Sequence, residues 1–211
     1  MLEVNTLPKD LMPVPLPSFA LTHGQAMWAL AYGQTPSQRL LDQARYLRQL
    51  AIPFTPEEQT VGRGNRLTYD YAQLVETGFG LLGLSYGFRP RDIVGGLLTD
   101  RAGMREAYAQ AYLEQPLGAL TADWVKSRGR LKPMIVNEYF IRMHERHGDE
   151  HGNFDVIGPG EAENADDLFE PVERHPGERA RRVVPAVRYI MQWVVWALEA
   201  PPTPPGRKRS G

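Results

Sequence analysis

The chain has 211 residues, 42% hydrophobic and 23% charged, with a formal net charge of −1, proportions of a globular protein able to bury one or two cores. Cysteine is absent, which excludes disulfides, thiolate metal sites and a cysteine nucleophile, and fits a reducing compartment. No apolar stretch reaches the ~18–20 residues of a membrane-spanning helix, and residues 1–17 carry no charged segment followed by an apolar run, so the expectation is a cytoplasmic protein with no membrane partner.

Residues 1–20 contain Pro8, Pro13, Pro15 and Pro17, which predict an extended arm. Thr22 then opens a helix with Ala26, Met27, Ala29 and Leu30 as its apolar side, and Gly33 is placed to end it in a left-handed conformation. A second helix is predicted to start at Thr35, with Pro36 at its first position and Gln38 completing a capping box. Leu40, Leu41, Ala44, Leu47 and Leu50 recur at spacings of three and four, giving one apolar stripe. Off that stripe lie Gln38, Arg39, Gln43, Arg45, Tyr46 and Arg48. Taken alone they describe a solvated face. After a tight turn they also describe the second helix of a helix-turn-helix, the one offered to a major groove.

Pro53, Phe54 and Pro56 break this helix. Two short strands are expected between Glu57 and Leu67, around the turn Gly62-Arg63-Gly64-Asn65-Arg66. A structural turn needs those glycines; only a wing on DNA backbone also uses the arginines. Thr68 is expected to cap the next helix, which carries Tyr71, Leu74, Val75, Phe79, Leu82 and Tyr86 and ends at Gly87. Pro90 opens a shorter one with Ile93, Val94, Leu97 and Leu98 inward.

Together, Ala44-Arg45-Tyr46-Leu47-Arg48, Ala51-Ile52, Arg63 to Arg66, Leu67-Thr68-Tyr69-Asp70 and Gly87-Phe88-Arg89-Pro90-Arg91-Asp92-Ile93 resemble the MerR-type winged-helix DNA-binding domain over about residues 20–98. The family's second helix ends in Leu-Arg-Tyr-Tyr-Glu and Gly-Leu; here Arg48 replaces the Glu, Ala51 replaces the Gly, and the helix is about one turn longer. The resemblance implies double-stranded DNA as partner, a homodimer, and a long pairing helix after residue 98.

Beyond that stretch, Asp100 to Gln115 reads as a helix with Met104, Ala107, Tyr108, Ala111 and Tyr112 on one side, the pairing candidate by that analogy. Leu117 to Trp124 and Pro133 to His147 suggest two more helices, separated by a basic strip of Lys126, Arg128, Arg130 and Lys132. His144, His147 and His151 form the one metal-like cluster, but the spacing is not His-Glu-x-x-His and a glycine interrupts it, so no metal is assigned. Residues 148–178 carry ten acids against Arg174 alone, and read as an acidic loop. Arg181 to Leu198 reads as the most apolar helix, with Trp193 and Trp196 on one face, and Pro201-Pro202 ends it.

The expected organisation is an arm over 1–20, a winged helix-turn-helix over 21–98, a helical region over 99–147, an acidic linker over 148–178, an apolar helix over 179–200 and a disordered basic tail over 201–211. The expected fold is mainly α, with a short β-hairpin wing and a helical C-terminal region. With no nucleophile elbow, phosphate loop or dinucleotide fingerprint, no catalytic residue, cofactor or enzymatic activity is assigned. The expected function is sequence-specific DNA binding by a MerR-like transcription regulator, through Ser37, Gln38, Arg39, Gln43, Arg45, Tyr46, Arg48, Arg63, Asn65 and Arg66. The alternative is a non-enzymatic helical adaptor that binds a second protein through the C-terminal Trp-rich helix.

Overall fold

A computed structural model describes residues 16–59, 67–115, 138–146, 152–159 and 178–202. Its elements are α1 (His23–Leu30), α2 (Gln38–Gln49), α3 (Pro56–Gln59), α4 (Tyr71–Ser85), α5 (Pro90–Leu98), α6 (Arg101–Leu113), β1 (Phe140–Arg146), β2 (Asn153–Ile157), β3 (Glu178–Pro185) and α7 (Ala186–Leu198). The described chain is mainly helical, with one small antiparallel sheet.

Helix α4 is the centre of the packing. Tyr71, Leu74, Val75, Gly78, Phe79, Gly80 and Gly83 are all buried along it, and α1, α2, α5, α6 and α7 each pack on it. A Cβ at Gly78 would stand 2.4 Å from Cζ3 of Trp193, so glycine is what lets α7 lie this close. Asp70 caps α4 through the Gln73 amide, and Gln73 reaches back to the Asp70 amide. The expected cap at Thr68 is two residues early for a physical reason. Tyr69 is still extended, exchanging backbone hydrogen bonds with Leu21 at 2.8 and 2.9 Å, so the helix cannot begin before Asp70.

The C-terminal region departs from the helical expectation. Residues 140–146, expected in a helix, form β1, and 153–157, expected in an acidic loop, form β2. The helix expected from Arg181 starts instead at Ala186, because Glu178–Pro185 is β3. The sheet order is β2-β1-β3, with Ile141 opposite both Val156 and Val184. Tyr139, Ile141 and Met143 are buried while Arg142 between them is not, the two-residue period of a strand with one covered face. Phe154 of β2 meets the backbone of α5 at Gly96 and approaches Phe88 edge-on. A single apolar cluster runs from Leu21 through α4 and α6 to Ile141, Val184 and Ala197, so residues 21–98 share their core with the sheet and α7.

Candidate nucleic-acid interface

Helix α2 begins two residues later than expected. Ser37, not Thr35, is the N-cap, its Oγ accepting from the Leu40 amide at 3.2 Å. Gln38 does not close a capping box; its Nε2 donates to Asp42 Oδ1 at 3.0 Å. The inner side holds Ala44 and Leu47 buried, with Leu40, Leu41 and Leu50 half-buried, and Leu47 seats against α4 at Gly80.

The outer face carries Gln38, Arg39, Asp42, Arg45, Tyr46 and Gln49, all exposed. Four predicted site residues, Gln38, Arg39, Arg45 and Tyr46, are thus gathered on one surface, and Tyr46 is 43% exposed although aromatic. The sequence reasoning missed Asp42 at the middle of that surface. Arg45 Nη1 meets Asp42 Oδ1 at 3.0 Å, with the two side chains 62% and 51% exposed. Such a pair contributes ~0–1 kcal/mol and exchanges easily for another anion. Its signal in the sequence was the Gln38-Asp42-Arg45 spacing of four and three.

The remaining predicted residues divide. Ser37 is exposed, but its hydroxyl oxygen is engaged as the cap. Gln43 faces the opposite flank, lining a cavity of about 170 Å³ with Leu30, Leu40, Leu82 and Trp193. Arg48 is half-buried on the flank toward α1. There it opposes the strong burial effect that pushes the Tyr69 phenol up to about 12. His23 Nδ1 lies 2.9 Å from the Tyr69 hydroxyl. Burial first, and then the positive charges of Arg48 and Arg45, hold the His23 imidazole below its ordinary pKa. Arg63, Asn65 and Arg66 lie outside the described residues, as do Lys126, Arg128, Arg130 and Lys132.

The turn before α2 places Tyr32 and Gly33 at φ 56° and 74°; α1 is ended by Tyr32 in the left-handed conformation, with Gly33, the expected terminator, following it in the same conformation and donating its amide to the Trp28 carbonyl. The turn after α2 places Ala51 at φ 63°. That is the position at which the family motif has glycine, and the backbone adopts the conformation glycine favours. Glu57 and Gln59 are not in a strand. Pro56–Gln59 is one helical turn, capped by Thr55, whose Oγ1 accepts from the Glu58 amide at 3.2 Å while Glu58 Oε2 accepts from the Thr55 amide at 2.8 Å. Gln59 Nε2 then donates to the carbonyls of Arg48 and Phe54 at 3.1 and 3.0 Å.

The other candidate sites look different in three dimensions. His144 sits buried on β1, its Nε2 3.1 Å from Asp155 Oδ2, which also accepts from Arg142. Those bonds, His144 first, hold the Asp155 carboxyl down at about 2. His147 and His151 lie outside the described residues. Among the described residues no group of three or more His, Asp or Glu is placed to hold a metal ion. Met104, Tyr108, Ala111 and Tyr112 of α6 are buried within the subunit and Ala107 is half-buried, so most of the face offered for pairing by analogy is already covered. No described helix is long and apolar enough to cross a membrane. No family model matches this chain, and neither a curated protein nor a solved structure matches it.

Proposed function

We propose that the chain is a sequence-specific double-stranded-DNA-binding protein, a MerR-like transcription regulator acting as a dimer, that reads a major groove with the outer face of α2. The observation that carries this reading is the composition and setting of that face. A capped helix of 12 residues follows a left-handed turn and packs on α4, with Gln38, Arg39, Arg45 and Tyr46 exposed on its outer side. Arginine and glutamine present the paired donors that guanine and adenine edges accept. Ala51 at φ 63° in the motif's glycine position supports the winged-helix resemblance.

The adaptor reading finds less support. Trp193 is 2% exposed and packs edge-on against Phe79, ring centroids 5.1 Å apart, and Trp196 packs edge-on against Trp28. The surface of Trp193 is spent within the subunit, and Trp196 is half-buried there.

Selection of duplexes from a random pool, followed by affinity measurements across a salt series, tests the reading. The wild-type chain is expected to prefer selected over scrambled duplex, with affinity falling as salt rises. Arg39→Ala and Arg45→Ala should each cost about 1–3 kcal/mol on the selected duplex. An Arg63→Ala/Arg66→Ala chain should weaken binding to every sequence alike and lower the log–log salt slope by about 2. A wild-type chain with no salt-dependent duplex binding would sink the proposal.

A further inference from the structure

Between α4, α6 and the exit of α2 lies an ion cluster of Glu76, Arg101 and Arg105, away from the outer face of α2. Glu76 of α4 is 1% exposed. Its Oε1 accepts from Arg101 and its Oε2 from Arg105 Nε at 2.8 Å. Both arginines come from α6, four residues apart and so on one face. One carboxylate cannot neutralise two guanidiniums. The surplus charge is turned onto backbone: Arg101 Nη2 donates to the Ala51 carbonyl, and Arg105 Nη2 donates to the Pro53 carbonyl at 2.8 Å. Those carbonyls lie just past the negative end of the α2 dipole, where cations are favoured.

Net stability is a poor reason for such a cluster, because apolar packing of similar volume usually serves as well. What a planar guanidinium adds is direction: it fixes an acceptor in angle as well as distance, which an ammonium does not. Helix α2 has use for this. Only Ala44 and Leu47 are buried along it, and the Ser37 cap is a bond within its own first turn, so much of its placement falls to its exit. Arg101 and Arg105 hold the chain there.

We propose that Arg101 and Arg105 are positioning residues for base reading by α2, gripping its exit so that the outer face meets base edges in one fixed orientation. The inference rests on the DNA-binding reading above. In it, α6 reports its own position to the DNA-reading helix through two side chains, although neither touches DNA.

The test uses full-length Arg101→Lys and Arg105→Lys chains, each measured separately in sucrose, which favours the folded state. Lysine keeps the charge beside Glu76 and loses the fork. The readout is the ratio of affinity for a selected duplex to affinity for a scrambled one, per folded molecule. At least one lysine variant should lower that ratio about five- to tenfold, with the scrambled-duplex affinity and its salt slope unchanged. Val194→Ala in α7, a core variant of lowered stability, should leave the ratio intact. If both lysine variants keep the wild-type ratio, or lose both affinities in equal proportion, the arginines are structural only and the inference is overturned. A wild-type chain that binds all duplexes alike would overturn the DNA-binding reading, and this inference with it.

Discussion

Helices α2 and α7 have 12 and 13 residues, and they are held in opposite ways. Along α7 eight residues are buried, Ala186, Val187, Ile190, Met191, Trp193, Val194, Val195 and Ala197, and its N-cap residue, Pro185, makes no side-chain cap bond. Along α2 two are buried, and a serine caps it. One is fixed by tertiary packing and needs no local signal; the other depends on its ends and keeps a polar face clear. A helix that leaves half its surface unused by the fold is the one free to meet a partner. On the proposed function, substitutions in α7 act on stability and those on the outer face of α2 act on binding.

The largest expected effect is on the α7 side. Trp193→Ala should lower unfolding free energy by about 3–5 kcal/mol, because the ring fills the space over Gly78 and Phe79 and the site cannot collapse around α4. Urea unfolding measures it. Were α7 a partner-binding helix with a loosely covered tryptophan, stability would barely change, and the contrast between the two helices would fail.

A smaller effect sharpens the contrast from the other side. Ser37→Ala removes the acceptor for the Leu40 amide and should cost about 1 kcal/mol. Faster hydrogen exchange should be confined to the first turn of α2. Loss of protection spread evenly through α4 and α7 would show that α2 is not locally held.

The two helices were also unequally legible. Periodicity and end signals placed α1, α4, α5 and α6 to within a few residues, because each has its apolar positions three and four apart and a capping residue or Pro in front. Within α2 the phase was legible but the start was not: Thr35 and Ser37 are both good caps, and spacing rules do not choose between hydroxyls two residues apart. Leu21 pairs with Tyr69 across 47 intervening positions of chain, which no local pattern signals. The sheet was misread for a related reason. Tyr139, Ile141 and Met143 alternate with Phe140 and Arg142, but the run is apolar enough to pass as a buried helix. In Val183-Val184-Pro185 the proline marked a boundary between strand and helix, where the sequence suggested one continuous helix. On the candidate site, the residue types on the outer face of α2 were legible. The side chain that answers them, Asp42, only accepts, and so fell outside a pattern of donors.

Asp42 gives the smallest and most discriminating test. It stands among Gln38, Arg39, Arg45 and Tyr46, and both Gln38 and Arg45 spend a donor on its Oδ1. For a solvated face this is a favourable surface pair, contributing ~0.2–0.5 kcal/mol to the helix. For a face that meets DNA it is a brake: a negative charge opposite phosphates, and a competitor for the arginine. Asp42→Asn keeps the size of the side chain and an acceptor oxygen while removing the charge. Stability should then fall by no more than about 0.5 kcal/mol, while affinity for all duplexes rises about two- to threefold, ~0.4–0.7 kcal/mol. The gain should shrink as salt rises, since exposed charges are screened over about 8 Å at physiological ionic strength. Paired measurements on wild type and variant at two salt concentrations read both effects. Unchanged or weakened duplex binding would mean that this face does not approach phosphate, and that the clear side of α2 is solvated surface after all.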